Sequence, residues 1–294
     1  MRTAELVREQ SPKSNMEPMS APAGIKTILF HVHDDAGLPG RVQTALSIAR
    51  AFGAHLHLLH VTPLDAYTVV DVMGTYVNEG LVEMLEGEAA KVKARLEEQL
   101  AEQEVSWDYE EVTCALMNHL TERAALADLL LTGREPHERE FGGPAIALLG
   151  DMLHRTRTPL FVVGDGAEGV DLFGPAMVAW NGTHEAASAL RGAVPLLKLA
   201  SEVRLVVVDD RKDYRLTTAD ALAYLSRHDI HAELVTPLLI AGTVEDELLD
   251  QAGMDRASYI VMGGYSHTRG GEFLFGGVTR SMIKKCPVSL LMAH

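Results

Sequence analysis

Residues 128–133, Asp-Leu-Leu-Leu-Thr-Gly, are followed some twenty residues on by Arg155-Thr156-Arg157-Thr158-Pro159-Leu160-Phe161-Val162-Val163. Residues 259–264, Tyr-Ile-Val-Met-Gly-Gly, are followed in the same way by Lys284-Lys285-Cys286-Pro287-Val288-Ser289-Leu290-Leu291-Met292. Each pair is an apolar run closed by glycine, then a basic turn with proline, then a second apolar run. Runs that are apolar throughout, rather than alternating, fit strands buried on both faces of a parallel sheet.

Working outward, the order of elements ahead of these endings also repeats. In the first copy Ile25–Phe30 reads as a strand. Residues 41–53 read as a helix, with Val42, Ala45, Leu46 and Ala49 on one face and Gly53 as a stop. His55–Thr62 is a strand ended by Pro63, 78–104 a long charged helix, Ser106–Thr113 an alternating strand and 116–126 a short helix. The second copy gives strands at Ala176–Trp180, Val203–Val208 and Ala232–Pro237, and helices at 184–199, 217–228 and 243–253. Pro195 is expected to kink the first of these helices. Glu245, Asp246 and Glu247 suit the positive end of the last. Residues 1–24, polar and carrying Pro12, Pro18 and Pro22, form a tail. Residues 164–174 (GDGAEGVDLFG) form a linker, so the expected domains are 25–163 and 175–294. The fold class is α/β: two tandem Rossmann-like open parallel-sheet units, each with its ligand crevice at the carboxyl ends of its strands.

Composition narrows the function. The chain has 294 residues and a net charge of −15 with His neutral, which argues against a nucleic-acid partner. Two cysteines, Cys114 and Cys286, make neither a disulfide framework nor a Cys-based zinc site. No apolar stretch reaches the roughly 18 residues of a membrane span, and the first residues show no signal core. A cytoplasmic protein without a membrane partner is expected.

The segment Gly263–Arg280 carries the chemistry. Glycine-rich backbone between a strand and a helix lets N–H groups converge on an anion, and the helix N-terminus adds its dipole. Gly276 and Gly277 precede a helix expected at Val278–Lys285, and Thr279 is placed to offer a hydroxyl. Arg269, Arg280, Lys284 and Lys285 are opposed only by Glu272 from 263 to the end, a basic island in an acidic chain. The plainer reading is a surface loop whose glycines only make turns.

At this loop the chain resembles the universal stress proteins in their tandem-domain form. Their signature is Gly, two residues, Gly, nine residues, Gly, then Ser or Thr. Here Gly263 fills the first position and Ser266 stands at the second glycine. Residues 267–275 are the nine, Gly276 is the third glycine, and Gly277 replaces the Ser. Val278-Thr279-Arg280, Pro287-Val288 and the opening Val178-Ala179-Trp180-Asn181-Gly182-Thr183 are similar too, with Asn181 where an Asp is common. The resemblance covers 25–163 and 175–294. It implies that the halves pair about a pseudo-two-fold through their last strands, an intramolecular pseudo-dimer, with a homodimer as a further option. From family members that bind ATP, it implicates Ala179, Asn181 and Val208 for the nucleoside and Gly263, Ser266, Gly276, Gly277, Val278 and Thr279 for phosphate. Ser266 takes positive φ less cheaply than glycine, Gly277 lacks a hydroxyl, and Asn181 lacks the charge to recruit a metal ion. The implied function is a stress-associated regulatory binding protein for ATP or a related adenine nucleotide, with an unidentified protein partner. The alternative is a scaffold that has lost nucleotide binding.

The first half has drifted further. Eleven residues before Pro159 stands Leu148, where Gly276 stands eleven before Pro287, and Gly150 is the nearest glycine. Glu135, Glu138 and Glu140 crowd the expected phosphate position, so no phosphate site is expected there. Among thirteen histidines, His31, His33, His55, His57 and His60 cluster on two strands expected to be neighbours. Four imidazoles on adjoining strands suit Zn²⁺; the simpler reading has them hydrogen-bonded to Asp34, Asp35 or backbone, with no metal. No nucleophile–base–orienter set, Gly-x-Ser-x-Gly elbow or P-loop is present, so no catalytic residue is named and no enzyme is expected.

Overall fold

The computed structural model describes residues 24–63, 68–71, 74–77, 79–134, 145–164, 168–208, 216–239, 242–264 and 277–294. The first half holds strands β1 (Thr27–Val32), β2 (His55–Pro63), the hairpin β3 (Thr68–Asp71) and β4 (Gly74–Val77), β5 (Trp107–Cys114), β6 (Leu129–Gly133) and β7 (Leu160–Val163). Its helices are α1 (Leu38–Phe52), α2 (Glu79–Ala101), α3 (Leu116–Ala124) and α4 (Ala145–Arg155). The second half holds β8 (Ala176–Ala179), β9 (Val203–Val206), β10 (Ala232–Val235), β11 (Tyr259–Gly263) and β12 (Ser289–Ala293). Between them run α5 (His184–Leu197), α6 (Thr218–Arg227), α7 (Val244–Met254) and α8 (Gly277–Lys285).

Ten strands form one sheet in the order β10-β9-β8-β11-β12-β7-β6-β1-β2-β5. Every neighbouring pair is parallel except β12 and β7, which run antiparallel with Leu290 opposite Val162, Leu291 opposite Phe161 and Met292 opposite Leu160. Each half is therefore the same five-stranded unit, and the two are joined through their last strands, the pairing the family resemblance implies.

Successive strand residues face opposite sides of the sheet, and the helices divide accordingly. Phe30, Phe161 and Leu291 point toward α1, α2, α5 and α6, whose Leu46, Leu96, Leu190 and Leu225 complete one apolar layer. Leu29, Leu160 and Met292 point toward α3, α4, α7 and α8, where Leu120, Leu149, Leu248 and Met282 complete the other. Both layers run unbroken across the junction. Helix α5 crosses it so closely that a Cβ on Gly192 would lie 2.5 Å from Pro159 Cγ.

Three features depart from the sequence reading. The β3–β4 hairpin interrupts the connection to the long helix, which starts at Glu79. Helix α4 fills the stretch before Pro159, where no element was assigned. Pro195 sits inside α5 within its last turn, so little of the helix lies beyond it to bend. No helix among the described residues is long and apolar enough to cross a membrane.

The contact at Gly192 yields a paired test. Gly192→Ala drives a methyl into the rigid Pro159 ring, so overpacking outweighs the helix-propensity gain and stability falls by about 1–2 kcal/mol. Gly87→Ala, on exposed α2 with nothing within 4 Å of the new Cβ, raises it by about 0.5–1 kcal/mol. Urea unfolding of the two variants checks both signs.

Candidate functional site

In the second half β8 lies between β9 and β11, so the chain leaves β8 toward one neighbour while the other comes from a later crossover. In doubly wound sheets such a switch point, at the carboxyl ends of the strands, is where ligand crevices form. Ala179 ends β8, in register with Val206 of β9 and Met262 of β11. Its half-buried side chain, like those of Val208 and Val278, packs on the apolar layer that lies under α7 and α8. The three residues singled out from the sequence thus share one layer of the second half.

Gly263, the last residue of β11, is glycine for a steric reason. A Cβ there would stand 2.5 Å from the backbone nitrogen of Ala186 and 2.8 Å from the carbonyl carbon of Glu185, in the first turn of α5. Gly277 opens α8 and is exposed, with nothing within 4 Å of the place a Cβ would occupy. The first N–H groups of α8 lack intrahelical acceptors and carry the positive end of the helix dipole. Lys284 and Lys285 lie at the opposite end of the helix, where they oppose its negative pole.

Two side chains stand differently from the sequence reading. Asn181 is exposed, and its Oδ1 accepts from Thr183 N at 3.3 Å and Thr183 Oγ1 at 2.9 Å, so it braces the turn into α5. Thr183 in turn caps the helix by accepting from Ala186 N at 3.2 Å. Thr279 is 6% exposed and already engaged within the protein. Ser266 and Gly276 lie outside the described residues, as do Glu135, Glu138 and Glu140.

The first half supplies part of the wall. Because β7 and β12 are antiparallel, the end of α4 abuts the exit of β11 and β12. Leu153 Cδ1 would lie 3.1 Å from a Cβ on Gly264. His294 Nδ1 donates to Gly264 O at 3.1 Å, and its ring lies 5.2 Å from that of His154, tilted by 55°. No local pattern marks Leu153, His154 or His294 as neighbours of the loop; only the pairing of the two halves brings them there.

The histidines of the first half divide. Parallel register sets Thr27 beside His55 and Leu29 beside His57, with His31 level with Leu59, so four rings do not form one patch. His31 is buried, with Nδ1 3.2 Å from Thr132 Oγ1, and His33 Nε2 lies 3.9 Å from Asp35. His55 and His57 turn to the edge strand β5 instead. His57 bridges Asp108 and Glu110, the latter at 3.0 Å, and His55 meets Ser106 Oγ at 2.8 Å. His60 points to the other face, with Nδ1 2.7 Å from Tyr109 OH, and burial lowers the pKa of its imidazole. Thus β5, rather than Asp34 or backbone, supplies the partners of His55, His57 and His60. No group of three or more metal-binding side chains converges among the described residues.

Glu110 is the hub of this network. Arg123 Nη2 donates to its Oε1 at 2.6 Å and His119 Nε2 approaches the same oxygen at 2.9 Å. Burial pushes the carboxyl up, but these hydrogen bonds, the Arg123 charge and His57 outweigh it and hold it at about 2. Such a depressed carboxyl stabilises the fold above the ordinary carboxylate range, and the benefit fades as pH falls through the folded value. Glu110→Gln is accordingly less stable than the parent by about 1–2 kcal/mol at neutral pH. The difference narrows steadily below about pH 4.5 toward pH 2. Denaturant midpoints at neutral pH and near pH 3 check it.

The universal stress protein family model matches residues 24–156 and 173–294. A universal stress protein from Archaeoglobus fulgidus DSM 4304 is 16% identical, with 91% of this chain and 97% of that chain covered at a TM-score of 0.67. A candidate universal stress protein from Pseudomonas aeruginosa UCBPP-PA14 is 14% identical, with 92% and 93% covered at 0.57. Both likenesses span the two halves and concern the fold. No curated protein matches the chain.

Proposed function

The chain belongs to the universal stress protein family in tandem form, and from that premise we propose that it is a stress-associated regulatory binding protein whose second half takes ATP or another adenine nucleotide. Two observations support the reading: Gly277 opens α8 with free space at its Cβ position, and Ala179, Val208 and Val278 belong to one apolar layer of the second half. A helix N-terminus with its dipole suits a phosphate chain, and a small apolar surface suits a base or ribose. Asn181, fixed by Thr183, presents its amide donors rather than a carboxylate, so recognition here does not depend on a metal bridge at that position. The reading assigns binding without a catalytic step, with the response passed to a protein partner.

Gly277 is the position to test, because a side chain fits there without collision. The full chain is expected to bind one ATP in calorimetric titration. Gly277→Asp places a carboxylate among the phosphate-seeking N–H groups while favouring the helix itself, and weakens binding by at least about tenfold. Gly277→Ser supplies a hydroxyl and tightens it by about 3–10-fold. No binding by the parent chain, or equal binding by parent and Gly277→Asp, replaces this reading with that of a nucleotide-independent scaffold.

A further inference from the structure

The first half repeats the strand order and so has its own switch point, between β1 and β6. There the architecture differs from the second half in one residue's conduct. Arg41, the fourth residue of α1, is only 3% exposed. Its Nη1 lies 2.8 Å from Asp35 Oδ1, and its Nη2 donates to the His33 carbonyl at 2.5 Å. Asp35 Oδ1 also accepts from Gly37 N at 2.7 Å, which fixes the carboxylate.

Two glycines make room for the guanidinium. A Cβ on Gly133, the last residue of β6, would lie 2.9 Å from Arg41 Cδ and 3.0 Å from Cζ. A Cβ on Gly37 would lie 2.9 Å from Nη1. At the corresponding strand end of the second half, Gly263 meets backbone of α5 instead. A carbonyl, a half-buried carboxylate and two bare glycine faces make a cradle shaped for a flat cation. Its Nε, buried and without a partner, shows the fork held by its two terminal nitrogens.

We propose that the first half is self-liganded: this cradle at the β1–β6 switch point is a guanidinium site, occupied by the chain's own Arg41. The Arg41 side chain ties the exit of β1 to the end of β6, the two elements a ligand bridges in a crevice of this kind. The site selects a planar cation rather than a phosphate, so the first half stays closed to nucleotide whatever the second half binds.

Arg41→Ala leaves a void where a buried side chain stood and Asp35 without its counter-ion, so the melting temperature should fall by about 5 °C. Low-millimolar ethylguanidinium restores most of that loss by filling the vacated cradle, while ethylammonium at the same concentration and sodium chloride at matched ionic strength do not. The parent chain shows no such shift. If Arg41→Ala does not fold unaided, the same comparison is made on folded yield during refolding. The double variant Arg41→Met with Asp35→Asn has its cradle filled and lacks the carboxylate, and should ignore ethylguanidinium. Failure of ethylguanidinium to rescue, equal rescue by ethylammonium, or a response in the double variant overturns the proposal. So does a second equivalent of ATP bound by Arg41→Ala. The rescue involves no nucleotide, so its outcome stands apart from that of the titration on Gly277.

Discussion

The antiparallel pairing of β7 with β12 is the constraint on which the rest of the structure depends. A five-stranded parallel sheet ending on a strand as apolar as Leu160–Val163 or Ser289–Ala293 cannot leave that strand at an edge, because its unpaired backbone groups and two apolar faces would invite association. Each half solves the problem for the other. The true edges fall instead on β5 and β10, whose residues are half-buried or exposed. Strand β5 blunts its edge with Asp108, Glu110 and Glu111, and the ion pairs of His57, His119 and Arg123 hold two of these acids against the sheet face.

The same pairing sets where binding chemistry can occur. Strands of the two halves run in opposite directions, so their carboxyl ends, and with them the two crevices, lie at opposite margins of the sheet. Neither can borrow the other's loop. What crosses the junction is support: α4 stands behind the exit of β11, and Arg134 Nη2, one residue beyond Gly133, donates to Val288 O at 2.7 Å. The residue that follows the strand-ending glycine is thus a structural tie in the first half. In the second it is Gly264, which leaves the backbone close to Leu153 and His294.

How far the sequence foretold this follows from which forces are local. The buried strands were legible because continuous runs such as Leu129–Leu131 and Ile260–Met262 have few alternatives to a doubly covered parallel sheet. The helix start at Thr243 was legible because a capping threonine and the acids behind it are adjacent in the chain, and the structure shows the same kind of cap at Thr183 and Thr217. The β3–β4 hairpin was hidden because its apolar residues run straight into those of the following helix, with no turn residues strong enough to divide them. The histidine network was misjudged for another reason. A choice between Asp34 and Asp108 as partner depends on which strand lies beside β2 and in what register, and Leu58 opposite Tyr109 is set by the whole sheet. At the candidate site the sequence reading takes Gly263 and Gly277 as phosphate-loop glycines; the packing of Gly263 against the first turn of α5, and the open space at Gly277, depend on helix placement that no local pattern records. That Thr279 is buried, and that Arg41 is turned inward, depends on how closely each helix approaches its strand end.

Joining the units in one chain gives the two crevices the freedom to differ. In a dimer of identical chains, an arginine at position 41 would fill both switch points and abolish binding altogether. In a tandem chain the two strand ends are encoded separately. Gly133 accepts a guanidinium while Gly263 admits the first turn of α5, and both glycines remain for steric reasons that have nothing in common. A half held shut by its own side chain loses no stability for want of a ligand. The asymmetry is then a consequence of fusion itself: one half turns Arg41 inward against Asp35 and Gly133, and the other packs Gly263 against the first turn of α5 and begins α8 with an exposed glycine.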